Sequence, residues 1–375
     1  MTAQELRSYE LLEQLSTVTN EDEWWFWKRI GGKDVLDSLG MKLERQRMDL
    51  YLNSFEGVFD NRWWSAYCEK QHKRIAPDPL GAFGGQFPIK RILRLGECIH
   101  TLKGKGKLPD NLVERLRNRK SFWAASTEIE IATCFIHAGF GLDIYPAIST
   151  GSTPEGKVII EGMDIYYEVT EQHWSNYELE VIRQESRVID WLSKKCGPVD
   201  GSILFKSGRD SSARKVGELL ALFGTHYKRG SLDPLPFQFE NEDFKVYIRR
   251  SESSGGWIEI SGLEPTPEEI VRRWVAQLFR KARQLPPKES GVIIGSPLFL
   301  WGPDQVEAAL NEVQAELGGG AHRRVSGIIL CAKHVENSGF IKHLPQVVIN
   351  SNASVDNAEK IGKMAEALFR FPDWF

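Results

Sequence analysis

The chain of 375 residues is 41% apolar and 26% charged, which excludes a disordered, collagen-like or low-complexity protein and predicts two or three domains at about 150 residues each. Its 48 Lys and Arg against 51 Asp and Glu leave a net charge of −3, which by itself points to no class of partner. No apolar run approaches the roughly 18 residues of a membrane helix, and the amphipathic, acidic start MTAQELRSYELLEQL is unlike a signal peptide. The cysteines (Cys68, Cys98, Cys134, Cys196, Cys331) are odd in number and lack CxxC spacing, which argues against a disulfide framework or a structural zinc and favours a reducing cytoplasm.

Residues 1–118 read as a mostly helical, basic, aromatic-rich region. Leu6, Leu11, Leu12 and Leu15 have helical spacing. The clusters Trp24-Trp25-Phe26-Trp27 and Trp63-Trp64-Ser65-Ala66-Tyr67 can stack nucleobases or anchor a small helical core. Pro77, Pro79, Gly81, Gly84, Gly85 and Pro88 mark a loop, and Lys103-Gly-Lys105-Gly-Lys107 a second, basic one. Charge is segregated: Arg62–Lys120 carries 14 basic and 5 acidic residues, Ser121–Asp190 carries 3 basic and 12 acidic. The basic stretch suits a polyanion and the acidic stretch a cation, or the two neutralise each other across a surface.

A helix is predicted from Ser121 to Gly139, where glycine provides a stop. Strands follow at Leu142–Ile148, Lys157–Ile160 and Asp164–Thr170, then a helix over Asn176–Lys195, a strand at Gly201–Phe205 and a helix at Ser211–His226. Phe244–Arg250 and Gly256–Ser261 read as a hairpin across Gly255-Gly256. Pro267–Leu285 is a helix with proline near its start and Pro286-Pro287 ending it. Val292–Gly295, Gly327–Leu330 and Gln346–Asn350 read as short buried strands, with a helix at Pro303–Leu317.

Gly151-Ser-Thr-Pro-Glu-Gly156-Lys157 matches seven positions of a phosphate-binding loop, but Val158 stands where Ser or Thr should hold magnesium. A β-type run follows where a helix should open, so nucleotide binding is not expected there. The chemistry lies instead in Thr153–Thr170, a hairpin with an acid at the start of its first strand, Glu155, and another late in its second, Glu168. Alternation puts Asp164, Tyr166, Glu168 and Thr170 on one face, with Ile165, Tyr167 and Val169 on the core face. Paired carboxylates repel and desolvate each other unless a cation neutralises them or a proton is retained, and magnesium is the usual oxygen-ligated solution. Glu128 adds a third acid, in the helical arc of Ala124, Ile131, Ala132 and Phe135, where it is paired, protonated, at an opening onto a ligand, or snorkelling at the edge.

These pieces resemble the PD-(D/E)XK nuclease superfamily. Glu128 matches its helix acid, Pro154-Glu155 its Pro-Asp, and Glu168-Val169-Thr170 its Glu-X-Lys, over roughly residues 120–205 plus a later helix. Two departures stand out: Glu155 replaces Asp, and Thr170 replaces the Lys that orients the attacking water. On the helix Ile270–Leu285, Lys281 falls inside the apolar arc, beside Gln277 and Gln284, so Lys281 is a candidate for the missing charge and Gln284 for a metal water or phosphate, against a snorkelling lysine at the stripe's edge.

The resemblance implies an α/β fold with a restriction-endonuclease-like core (helix, three-stranded meander, helix, strand) at 119–295, a probable insertion at 200–262, and a C-terminal α/β extension at 296–375. It implies Mg²⁺-dependent (or Mn²⁺-dependent) phosphodiester hydrolysis of nucleic acid, most simply DNA. Glu128, Glu155 and Glu168 would hold metal; Thr170, Lys281 and Gln284 would complete the catalytic set. The basic stretch, with Arg272, Arg273, Arg280 and Arg283, would follow the phosphate backbone. The threonine leaves open a catalytically silent member that binds nucleic acid or a protein partner, including a second copy of itself. A third reading places the acids on a solvated hairpin of an unrelated α/β protein.

Overall fold

The computed structural model describes residues 43–60, 63, 87–118, 121–148, 153–172, 176–206, 212–228, 231–232, 236–252, 256–263, 266–296, 303–320, 322–335 and 341–370. The aromatic cluster at 24–27, residues 64–67, the loop at 77–86, Gly151-Ser152 and the terminal Asp373-Trp374-Phe375 lie outside them.

The described elements make a mixed α/β protein. In chain order they are α1 (Arg45–Val58), α2 (Phe87–Gly104), α3 (Asp110–Arg117), α4 (Phe122–His137), β1 (Gly141–Ile144), β2 (Gly156–Ile160), β3 (Met163–Glu171), α5 (Asn176–Cys196), β4 (Val199–Phe205), α6 (Ser212–His226), β5 (Tyr227–Lys228), β6 (Ser231–Leu232), β7 (Phe237–Glu240), β8 (Phe244–Arg250), β9 (Trp257–Ser261), α7 (Pro267–Lys281), β10 (Ser290–Ser296), α8 (Pro303–Gly318), β11 (Gly327–Val335), β12 (Ile341–Ile349) and α9 (Val355–Arg370). They fall into two compact units, one running from His173 to Ile270 and the other taking the described residues before and after it. The segment expected as an insertion at 200–262 lies within the smaller of these units, which also holds α5. Pro88, expected in a loop, lies in the first turn of α2, where a missing N–H costs nothing.

The larger unit is built on a six-stranded sheet in the order β1-β2-β3-β10-β11-β12. β1, β2 and β3 form an antiparallel meander, β10 runs parallel to β3 and β11 parallel to β10, and β12 closes the sheet antiparallel. β11 and β12, in the stretch expected as a C-terminal α/β extension, belong to this sheet.

The central strands read as continuous apolar runs because both of their faces are covered. Ile165, Tyr167 and Val169 of β3, with Val292 and Ile294 of β10, pack with Phe122, Ile129, Ile131 and Phe135 of α4. Ile293 and Tyr166 face the other way, onto Val271, Trp274, Val275 and Leu278 of α7. Each such apolar side chain contributes about 1.5–3 kcal/mol by burial. The face of β3 that carries Glu168 is therefore buried at Glu168 and Thr170, while Asp164 at its start is exposed.

Two local details set the site. Helix α4 ends in a left-handed Gly139 (φ 79°), with the Gly139 amide donating to the Ile136 carbonyl and the Phe140 amide to that of Phe135. That cap turns the chain directly into β1. On the opposite layer, Gly295 of β10 lies across from Thr170, and a Cβ at 295 would come within 2.6 Å of Leu278 and 2.9 Å of Trp274. The missing side chain lets α7 settle close to the sheet, which brings its last residue, Lys281, to the β2–β3 acids.

The smaller unit packs Val181, Val188 and Leu192 of α5 and Val216, Leu219 and Phe223 of α6 on one face of a sheet ordered β7-β8-β4-β9. The hairpin expected across Gly255-Gly256 does not form, because β4 lies between β8 and β9 and pairs with β9 in parallel. Gly256, at φ 59°, passes so close to the start of β4 that a Cβ would fall 2.7 Å from the Val199 carbonyl oxygen, and Asp200 accepts the Trp257 amide at 2.9 Å. Those contacts carry the chain past β8 to the far side of β4.

Candidate active site

Three side chains from three separate elements meet at the open end of the meander. Glu155 immediately precedes β2, Glu168 lies across from it on β3, and Lys281 ends α7. Lys281 Nζ donates to Glu155 Oε1 at 2.6 Å and to Glu168 Oε2 at 3.1 Å. The backbone locks both carboxylates: the Glu155 amide donates to Glu168 Oε1 at 3.1 Å, and the Val169 amide donates to Glu155 Oε2. Glu168 is fully buried and Glu155 is 12% exposed. That excludes the reading of acids on a solvated hairpin.

Glu128 is close by but turned to other partners. Its carboxylate is clasped by Arg115 of α3, through a bond from Nη1 to Oε2 at 2.7 Å and a second from Nη2 to Oε1. The Tyr145 hydroxyl donates to Glu128 Oε2 at 2.8 Å and accepts from Arg115 Nη1 at 2.6 Å. Tyr145, just past β1, takes a left-handed conformation (φ 50°) and its amide donates to the Glu155 carbonyl at 3.1 Å. A non-glycine residue with such a φ costs about 1–2 kcal/mol and persists where surrounding contacts over-determine it. Among the described residues no three acidic, histidine or cysteine side chains surround one metal-sized point. Of the three acids expected at one point, Glu155 and Glu168 share Lys281, and Glu128 is held in an ion pair with Arg115. A bidentate guanidinium satisfies a buried carboxylate better than an open cavity does.

Burial pushes the Glu155 carboxyl up to about 8, reinforced by repulsion from Glu128 and Glu168 and opposed by Lys281. Glu168 is raised to about 7, chiefly by burial, against the pull of Lys281 and the Glu155 amide. Burial opposes the charge of Lys281, but Glu155 and Glu168 outweigh it and raise its pKa. Burial and the Glu128 charge hold the Tyr145 phenol well above its usual range. Burial thus favours the protonated form of both carboxyls despite the charge of Lys281. Two buried all-oxygen donors suit Mg²⁺, which is commonly bound by one or two carboxylates and keeps several waters.

Thr170 is buried on the same face of β3 as Glu168. Gln284 is exposed in the short 3₁₀ turn Ala282–Gln284 that follows Lys281, and among the described residues no hydrogen bond joins it to the acids. Gln277 instead donates to the Glu171 carbonyl at 3.3 Å, fastening α7 to β3. Lys157 of the rejected phosphate loop pairs with Asp143 and Asp164 at 3.4 and 3.1 Å, and the loop leads into β2 rather than a helix.

The segregated charges partly cancel within the fold. Arg94 pairs with Glu130 at 3.6 Å, Lys107 with Asp143 at 2.9 Å, and Arg115 with Glu128. Lys103, Lys105, Arg272, Arg280 and Arg283 remain exposed.

Arg115 and Tyr145 were not legible as site residues. Arg115 sits between Leu112 and Leu116, which pack inward from α3, and looks like any charge beside an apolar stripe. No helix among the described residues is long and apolar enough to cross a membrane. Comparison with family models finds no match, and comparison with curated proteins and with solved structures finds none either.

Proposed function

We propose that this chain is a metal-dependent phosphodiesterase acting on nucleic acid, built on a restriction-endonuclease-like core in which the lysine of the Glu-X-Lys motif has moved from β3 to α7. The observation that carries this reading is the convergence of Lys281 Nζ on Glu155 and Glu168, from 126 and 113 residues away in sequence, beside the position where Thr170 replaces the expected lysine. The order of elements supports it: a helix bearing an acid (α4), an antiparallel meander (β1–β3), a helix (α7), and a strand parallel to β3 (β10).

In this reading Glu155 and Glu168 hold Mg²⁺ or Mn²⁺. The bound ion would supply a water of lowered pKa and charge stabilisation at the phosphoryl oxygens. Lys281 places a positive charge at the same point and orients a nucleophilic water by hydrogen bonding, a role Thr170 can only assist as a neutral donor. The backbone amides of Glu155 and Val169 each hold one carboxylate oxygen and Lys281 holds the other two, so a cation would enter by displacing Lys281 from Glu155 Oε1 or Glu168 Oε2. Nucleic acid is favoured as substrate because the exposed Lys103, Lys105, Arg272, Arg280 and Arg283 supply phosphate contacts, with affinity that falls as salt rises.

The test is cleavage of labelled single- and double-stranded DNA and RNA across a titration of Mg²⁺ and Mn²⁺, comparing wild type with Glu168→Gln. Metal-dependent cleavage that Glu168→Gln abolishes supports the reading. Nucleic-acid binding without cleavage at any metal concentration would leave a silent member of the fold, and absence of both refutes the proposal.

A further inference from the structure

Resting on the reading above, we propose that Arg115 and Tyr145 form a latch that withholds Glu128 from the cation site until a phosphate group takes the guanidinium. Glu128 is 6% exposed, whereas the Arg115 side chain is 33% exposed, so the guanidinium is the member of the pair that an incoming anion can reach. Arginine binds phosphate with the same planar two-bond geometry it uses here for a carboxylate. A substrate phosphate can therefore replace Glu128 as the partner of Arg115 without a change in bonding type.

The clasp is fastened to the strand end that carries the acid pair. The other partner of Glu128, Tyr145, is bonded through its own amide to the carbonyl of Glu155, and Ile144 pairs with Gly156 in the β1–β2 register. Glu128 is thus held against the strand end that carries the first acid of the pair. Its charge also raises the pKa of both Glu155 and Glu168. A carboxylate freed from Arg115 beside that pair gains by sharing a divalent ion and loses by remaining buried alone. Substrate and cation then bind cooperatively: the phosphate releases Glu128, Glu128 tightens the cation, and by linkage the cation favours the phosphate-bound state of Arg115. The left-handed backbone of Tyr145 fits this role, because its hydroxyl must lie between Arg115 and Glu128 to set the latch.

Calorimetric titration of Mn²⁺ and Mg²⁺ into the intact protein without nucleic acid tests the latch. Arg115→Gln removes the guanidinium and releases Glu128, so its cation affinity is expected to exceed wild type by about fivefold or more, the size of an ordinary coupling between sites. Adding Glu128→Gln to Arg115→Gln should return the affinity to the wild-type level. A merely structural ion pair would lower stability in Arg115→Gln but leave cation affinity unchanged or weaker, and that result overturns the latch. Should Arg115→Gln fail to fold, Tyr145→Phe decides: it loosens the clasp and is expected to raise affinity in the same direction, and an unchanged or reduced affinity overturns the proposal. If wild type binds either cation and the variants bind no more tightly, only the latch fails. If neither wild type nor any folded variant binds a cation, the latch and the phosphodiesterase reading fail together.

Discussion

Replacing Lys281 by methionine keeps the length and packing of the side chain but removes the charge that faces Glu155 and Glu168. The ammonium lies 2.6 and 3.1 Å from the two carboxylate oxygens and is 26% exposed, while Glu168 is fully buried. Breaking a buried pair by removing one partner costs about 3–5 kcal/mol when the remaining charge stays in place. Here the remaining groups have an escape, because they can retain protons. In the wild type the folded carboxyls titrate near 8 and 7, above their ordinary value, so the stability they contribute is fully present below the unfolded carboxylate pKa. It is lost as pH rises through those folded values. At pH 5.5 both are largely protonated and the loss of Lys281 costs little; at pH 8.5 the variant must bury uncompensated charge or hold protons against the solution. The penalty should therefore grow with pH, by up to about 1.4 kcal/mol per pH unit for each proton retained, toward about 3 kcal/mol. Urea denaturation of wild type and Lys281→Met at pH 5.5 and 8.5 measures it. A penalty equal at both values, or larger at the acidic one, would show that Lys281 does not hold this carboxylate pair.

Cation affinity should rise between pH 6 and pH 8.5, because a metal entering the pair must displace protons that burial keeps on Glu155 and Glu168; titrations in two buffers of different ionisation enthalpy count the protons released, and a pH-independent affinity with no release contradicts the site. Gly295→Ala should destabilise the protein by about 1–3 kcal/mol, since the added methyl meets Leu278 and Trp274 and pushes α7, with Lys281, off the sheet. A fully stable Gly295→Ala variant would mean that close approach does not position Lys281. Gly139→Ala should cost about 1–2 kcal/mol in thermal unfolding from its left-handed backbone alone, because no atom lies within 4 Å of the new methyl, and cation affinity should stay unchanged.

Much of the local structure was legible because it rests on short-range rules. The period-2 alternation of Asp164–Thr170 fixed which residues share a face, the apolar stripe of the α4 segment fixed its helix, and Gly139 fixed its end. The same reasoning identified Glu155 and Glu168 as an acid pair, since two strands joined by a tight turn must bring their ends together. It also marked Lys281 as out of place on an apolar arc. What it did not reveal was the use of each charge. Glu128 was legible as an acid on a buried face, but the identity of its partner depends on how α3 folds back over α4 and where Tyr145 leaves β1. No sequence spacing encodes those contacts.

Sheet order shows the same limit. Phe244–Arg250 and Gly256–Ser261 each read as strands, as found, yet adjacency in sequence favoured a hairpin, and the passage of Gly256 across the start of β4 put a third strand between them. The two-sided burial of β3 and β10 belongs to this class as well, because an apolar run states that a strand is covered but not by which helices. Covalent neighbours and side-chain periodicity act over a few residues and are written in the sequence directly. Which lysine neutralises which carboxylate is decided by free-energy differences between whole packings, and here that decision rests on a missing methyl at residue 295 and a helix brought back from more than a hundred residues away.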